Sequence, residues 1–206
     1  HASAEAQVAA LADDIAYNNH DLQDGLRAGL FTEAEIADLP LIAPAYAEVD
    51  RLYPGLEPIC RRHEALRRVF GYMVSDVIDT SRARITAAAP ASADAIRRLG
   101  HPVIAFSDPM WRDLKQIREF LFTRMYRAPS VVVIREKVTT ALLELFPLYM
   151  ADPSLLPERW QAAEAAREGE VPLARLVADY VAGMTDRYAL QQHARLTGKD
   201  ILHDRA

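Results

Sequence analysis

Residues 4 to 29 predict a long helix with one apolar and one acidic side, and this segment constrains the fold more than any other. At 3.6 residues per turn, a single stripe of the helix is apolar and the opposite face is polar. The stripe consists of Val8, Leu11, Ile15, Leu22 and Leu26, and the polar face of Asp13, Tyr17, Asp21 and Asp24. Such a helix needs other helices to cover its apolar stripe.

The acidic face lacks the basic partners that a solvated helix face usually carries. No Lys or Arg precedes Arg27, so ion pairs between residues four apart are missing from a segment whose acids are Glu5, Asp13, Asp14, Asp21 and Asp24. Two interpretations remain open. The face is simply solvated, or the small alanines beside it let helices pack closely around a carboxylate cluster that needs a cation, either an arginine from elsewhere or a metal ion.

The residues of this segment also resemble a known family. The run EAQVAALADDIAYNNHDLQDGLRAGL closely resembles the last metal-ligand helix of the bacterial dGTP triphosphohydrolases and dGTPase-like proteins of the HD-domain superfamily. Three later segments resemble later blocks of the same family in the same order: RRHEALRRVFGYMVSDVIDTS, FSDPMWRDLKQIREFLFTRMYR and VADYVAGMTDRYALQQHARL. The resemblance therefore covers nearly the whole chain.

The resemblance implies an activity and three site residues. Members of this family hold a divalent metal, such as Mg²⁺ or Mn²⁺, through a His, a His-Asp doublet and a distant Asp. They hydrolyse a dNTP to the deoxynucleoside and inorganic triphosphate. By match to this pattern, Asp13 is the final metal ligand, Tyr17 is the tyrosine near the sugar and α-phosphate, and Asp21 is the acid that follows it in the pocket. We expect these three side chains to project into a cleft.

The sequence also departs from the family pattern. The His and the His-Asp doublet lie upstream of this Asp in the family, whereas here Asp13 stands near the start of the sequence. His20-Asp21 and His203-Asp204 spell the doublet but follow Asp13, so we interpret both as coincidental. We therefore expect the C-terminal portion of such an enzyme, which alone holds no tightly bound metal and has no turnover. The alternative is a helical oligomerisation or nucleotide-effector-binding module without chemistry of its own.

Composition narrows the classes of partner and compartment. A formal charge of −5 gives no support to binding nucleic acid or an anionic membrane. No segment approaches the roughly 20 apolar residues of a membrane span. The one cysteine, Cys60, excludes an internal disulfide framework, fits a cytoplasmic location and is predicted to be a small buried filler in a helix.

The remaining pattern predicts an all-α fold, the C-terminal part of an HD-domain-type helical bundle. We divide the chain into a metal-site helix (1–30), a helical C-terminal domain (31–190) and a polar tail (191–206). Predicted helices include Pro58 to Ser81, a helix capped by Asp108 and a closing helix from Val171 to Arg187. The β-branched run Val131 to Ile134 is interpreted as part of a buried helix, since no turn signal follows it.

Two helices carry basic faces. Guanidinium groups suit phosphate oxygens, so either face is a candidate for a nucleotide effector or for a subunit contact in the homo-oligomer that the family resemblance implies. The alternative is an ordinary solvated face. The first face consists of Arg61, Arg62, Arg67 and Arg68, and the second of Arg112, Lys115, Arg118, Arg124 and Arg127.

Overall fold

The computed structural model describes residues 1–165 and 173–201, and it divides into two compact units, His1–Ala128 and Pro129–Ala206. The described residues contain no strand, so the all-α prediction is confirmed. Unit 1 contains α1 (Ala4–Arg27), α2 (Glu33–Ile36), α3 (Ile42–Leu52), α4 (Pro58–Ala88), α5 (Ala93–Arg98), α6 (Asp108–Leu121) and a π-helical turn (Phe122–Tyr126). Unit 2 contains α7 (Pro129–Ala151), α8 (Glu158–Ala165), α9 (Leu173–Ala182) and α10 (Asp186–Thr197).

The core of unit 1 lies where α1, α4 and α6 meet, with α3 packed on α4. Leu22 of α1, Met73 of α4 and Leu114 of α6 are fully buried there. The predicted apolar stripe of α1 is only partly in this core, because Val8 is half exposed. Burial of apolar surface from three helices therefore fixes the middle and end of α1 and leaves an apolar side chain near its start in solvent.

Side chains of Gln7 and Asp76 attach the segment before α6 to α1 and α4. The side-chain oxygen of Gln7 accepts hydrogen bonds from the backbone N–H groups of Val103 at 2.9 Å and Ile104 at 3.1 Å. Asp76 accepts from the backbone N–H of Ser107 at 2.8 Å. The hydroxyl of Ser107 in turn caps α6, so the prediction that Asp108 is the cap is wrong by one residue. These contacts hold residues 103–107 against α1 and α4.

Unit 2 has its own core, formed by α7, α9 and α10. His193 of α10 is fully buried and lies 2.9 Å from Glu144, measured from Nε2 to Oε2. Helix α10 continues to Thr197 because its inner side packs into this core. The folded chain therefore extends beyond residue 191, where the sequence suggested that a polar tail begins.

Several helix limits and burial predictions differ from the structure. Helix α4 runs seven residues beyond Ser81 and ends at Ala88, before Pro90, which disfavours helical geometry in the residue preceding it. The predicted closing helix is two helices separated after Ala182; residues 171 and 172 lie outside the described residues. Cys60 is exposed rather than buried, because it lies in the first turn of α4.

The run of β-branched residues at 131–134 is helical, as predicted, but it is not buried as the prediction had it. Val133 and Ile134 are 48% and 40% exposed in α7. The predicted boundary at residue 30 also does not separate compact units, since α1 belongs to unit 1 with the helices that follow it. The division at residue 30 between a metal-site helix and the rest of the chain remains a prediction about where the metal site lies.

Gly25 should tolerate no side chain, because Phe31 lies directly against it. A Cβ at residue 25 would stand 2.2 Å from a ring carbon of Phe31, which is itself buried and packs edge-to-face on Phe120. We expect Gly25→Ala to lower the free energy of unfolding by about 1–3 kcal/mol, the usual range for an overpacked core. Urea denaturation followed by circular dichroism measures this change.

Gly71 of α4 provides the matched control, since a Cβ there meets no atom within 4 Å. Gly71→Ala should leave stability unchanged or raise it by up to about 1 kcal/mol through helix propensity. Equal effects of the two substitutions would contradict the close packing of Phe31 against Gly25.

Candidate functional site

The three residues singled out on the polar face of α1 have different environments. Asp13 is exposed and has no hydrogen bond or ion pair within the part of the chain that the structure describes. Tyr17 is 57% exposed. Asp21 is half-buried and accepts a hydrogen bond from the hydroxyl of Tyr126. The same face therefore presents the unpaired carboxylate of Asp13, the solvent-exposed ring of Tyr17 and the hydrogen-bonded carboxylate of Asp21.

A groove of about 310 Å³ lies between α1, α6 and the π-helical turn. Tyr17 forms part of its wall, and Tyr126 links Asp21 to it. Asp13 is not among the lining residues and lies one helical turn before Tyr17. The lining residues are Asp14, Tyr17, Asn18, Arg118, Leu121, Phe122 and Tyr126. Of the three residues expected in a cleft, only Tyr17 lines this groove, while Asp21 contacts the lining residue Tyr126 and Asp13 lies beside the groove.

Arg118 supplies positive charge at the rim of this groove and is held by three contacts. Its guanidinium lies 3.2 Å from a carboxylate oxygen of Asp14, and its Nε donates to the side-chain oxygen of Asn18 at 3.3 Å. It also lies over the ring of Trp111, 5.1 Å from the centroid. Part of the acid on α1 is therefore paired with an arginine, one of the two cations that the sequence left open.

Tyr126 ends the π-helical turn that follows α6, and its hydroxyl is held as a hydrogen-bond donor. Burial raises the pKa of Tyr126, and the adjacent Asp21 carboxylate and Tyr17 raise it further. The hydroxyl therefore stays protonated at neutral pH. π-Helical turns occur frequently at functional sites, because the extra residue changes the direction in which the following side chains project.

Sequence reasoning missed three members of this site. Arg118 was assigned only to a basic surface, and Tyr126 received no role. They are eight residues apart, close to two helical turns, which would place both on one side of a helix. That spacing alone gave no reason to connect either residue with α1. Asn18, which is buried and donates to the backbone oxygen of Asp14 at 2.6 Å, was likewise not singled out.

The described residues do not form a complete metal site. Within them, no group of three or more His, Cys, Asp or Glu side chains is arranged to hold an ion. Asp13 fits one position in the coordination shell of a hard divalent cation, because its carboxylate is exposed and unpaired among the described residues. His203-Asp204 lies outside the described residues, so its interpretation as coincidental stays a prediction.

The arginines of the first basic face each have a carboxylate partner. Arg61 contacts Asp50 at 2.5 Å, and Arg62 contacts Glu33 at 3.0 Å. The other two pairs are Arg67 with Glu64 and Arg68 with Glu48 and Glu64. A phosphate group bound here would have to compete with these carboxylates. On the second face, Arg124 pairs with Glu35, in addition to the contacts of Arg118.

The sequence of this chain is similar to those of known proteins. Residues 104–195 match the family described as "Phosphohydrolase-associated domain". Among curated proteins, the chain is 63% identical to a deoxyguanosinetriphosphate triphosphohydrolase-like protein of Cereibacter sphaeroides. The aligned region of 198 residues covers 96% of this chain and 52% of the relative. Proteins of the same name from Ruegeria sp. and Caulobacter sp. are 60% and 48% identical, over 95% and 97% of this chain and 52% and 50% of the relatives.

The chain thus spans about half the length of the curated relatives that it matches. In the part of the chain that the structure describes, none of the helices contains an apolar run of the length that a membrane span requires.

Proposed function

This chain belongs to the family of deoxyguanosinetriphosphate triphosphohydrolase-like proteins, and from that membership we propose that it forms part of a metal-dependent dNTP triphosphohydrolase. The reaction would convert a deoxynucleoside triphosphate and water to the deoxynucleoside and inorganic triphosphate. The observation that supports this most directly is the groove where Tyr17, Arg118 and Tyr126 meet beside the free carboxylate of Asp13.

Asp13 would supply one oxygen ligand to a divalent cation, Mg²⁺ or Mn²⁺. A carboxylate is a preferred ligand of both ions, and the side chain needs no rearrangement to become available, since it has no partner among the described residues. When bound, such an ion would neutralise phosphate charge and favour attack by water at the α-phosphate. Its other protein ligands would come from the part of the family polypeptide that this chain does not match.

Tyr17 would contact the sugar of the substrate. Its ring is the most exposed aromatic surface on the polar side of α1 and forms a wall of the groove. A ring packed on a deoxyribose leaves little room for a 2′-hydroxyl, which would favour deoxynucleotides over ribonucleotides. The ring would therefore act in both binding and selection.

Asp21 and Tyr126 would act together as a second polar contact in the groove. The carboxylate orients the Tyr126 hydroxyl, and Tyr126 is a groove-lining residue. Arg118 would place a guanidinium near the anionic or hydroxyl groups of the substrate, and Asp14 and Asn18 would keep it in position. A nucleotide effector and a homo-oligomeric state belong to this proposal as well, with the two basic faces as their candidate sites.

A product assay on a chimera tests the proposal. The unmatched half of the Cereibacter sphaeroides relative, joined to this chain, should release inorganic triphosphate from dNTPs in the presence of Mn²⁺ or Mg²⁺. Ion chromatography distinguishes triphosphate from pyrophosphate. This chain alone should show no turnover, since one carboxylate does not hold a divalent ion tightly.

Two results would contradict the proposal. Release of pyrophosphate instead of triphosphate would assign a different bond to the reaction. A folded chimera that binds dNTPs without hydrolysing them would instead favour the non-catalytic, effector-binding module.

A further inference from the structure

Trp111 contacts Arg118 from outside the groove of the candidate site. The two residues are seven apart on α6, close to two helical turns, so their side chains project from the same side of the helix. The guanidinium carbon of Arg118 lies over the indole ring, 5.1 Å from its centroid. Arg118 lines the groove, whereas Trp111 is not among the lining residues. The ring therefore acts on the arginine and does not form the wall that a ligand would meet.

The ring of Trp111 is itself supported by the segment that precedes α6. It stacks on Phe106, with the ring centroids 6.5 Å apart and the ring planes at 25°, and Phe106 is buried. The backbone on either side of Phe106 donates hydrogen bonds to the side chains of Gln7 and Asp76. An indole that stacks on a buried ring in an anchored segment offers Arg118 a surface that is fixed relative to α1 and α4.

The contact with Trp111 adds a restraint that the polar partners of Arg118 do not supply. Both of those partners, Asp14 and Asn18, lie on α1, and they contact Nη2 and Nε of the guanidinium. Trp111 lies on α6, so the cation is held from two helices. An aromatic face attracts a cation through its quadrupole and offers no oxygen acceptor. The ring therefore restrains the guanidinium without replacing the oxygen of a substrate as its hydrogen-bond acceptor.

We propose that Trp111 is a positioning residue, which holds Arg118 in the orientation that lets its guanidinium reach a phosphate or sugar oxygen of a dNTP in the groove. Core packing does not account for an indole at this position, since the side chain is 48% exposed in this chain. The role of Trp111 is indirect, because it touches the arginine and not the substrate. The inference rests on the proposed function, since it concerns the same substrate and the same groove.

A double-mutant cycle in the chimera tests this role. Trp111→Leu keeps an apolar side chain against Phe106 but removes the aromatic face. It should lower kcat/KM for dGTP by about 5- to 30-fold, the factor that corresponds to a partly desolvated cation–π contact. In an Arg118→Gln background, the same substitution should change kcat/KM by less than about twofold, because no cation remains for the ring to hold. Trp111→Phe is the matched control, since it retains an aromatic face and should recover most of the loss.

Two results of the cycle would overturn the proposal. Equal losses from Trp111→Leu with and without Arg118 would assign Trp111 to packing or to direct contact with the substrate. Full activity of Trp111→Leu would show that Asp14 and Asn18 are sufficient to hold the arginine.

Tryptophan fluorescence of this chain separates the positioning of Arg118 from the proposed function, because it needs neither the chimera nor turnover. The emission of Trp111 is the difference between the spectrum of this chain and that of its Trp111→Phe variant. Arg118→Gln should change this emission, and Arg118→Lys, which keeps a cation, should change it less. An emission that neither substitution alters would overturn the proposal. The expected fluorescence response together with a folded chimera that does not hydrolyse dNTPs would contradict only the proposed function, and the cycle would then be measured in the Kd for dGTP.

Discussion

Asp13→Ala should reduce metal-dependent triphosphate release by the chimera by about 1,000-fold or more. A metal ion contributes several kcal/mol to the stabilisation of charge in a transition state, and each 1.36 kcal/mol corresponds to a factor of ten in rate. The carboxylate is exposed in this chain and outside the core, so the substitution should not affect folding. Steady-state hydrolysis of dGTP measures the loss of activity, and calorimetric titration with Mn²⁺ measures the loss of metal binding.

Asp24→Ala is the matched control for this experiment. Asp24 is an exposed carboxylate of the same helix, and the ion pair that it makes with Arg27 is 3.9 Å long and solvent-exposed. The Asp24→Ala chimera should release triphosphate at nearly the unsubstituted rate. Similar losses for the two variants would show that net charge on α1 matters and that Asp13 is not a specific ligand.

The second large effect should come from the opposite side of the same helix. Leu22 is fully buried in the core of unit 1, and Leu22→Ala should lower the free energy of unfolding by about 2–5 kcal/mol, through lost apolar burial and the cavity left behind. Urea denaturation of this chain measures the change. Tryptophan fluorescence provides a second probe beside circular dichroism.

Leu143→Ala removes the same number of atoms from an exposed position of α7, and it should change stability by no more than about 0.5 kcal/mol. If Leu22→Ala were equally mild, α1 would not be packed into the core as the structure has it. Taken with the Asp13 variant, the experiment separates the stabilising side of α1 from its proposed functional side.

Agreement between sequence and structure is best where the determining interactions are local. Hydrogen bonds within a helix join residues four apart, so apolar periodicity alone predicted α1, α4 and α6 and the all-α class. The capping box of α2 also follows from local chemistry, and the backbone N–H of Thr32 donates to Glu35 at 2.8 Å. Periodicity was less informative about burial, because Val8 and Val133 are apolar residues of predicted helices and are nevertheless exposed.

That Asp13, Tyr17 and Asp21 share one face of a helix was predictable from the sequence alone, because they are spaced four residues apart. The side chains that join them could be identified only in the folded chain. Arg118 reaches Asn18 across 100 residues of sequence, and Tyr126 reaches Asp21 across 105. Such pairs depend on how α6 packs against α1. That packing results from many apolar contacts and from the hydrogen bonds of Gln7 and Asp76 to the segment before α6, and no local sequence pattern encodes it.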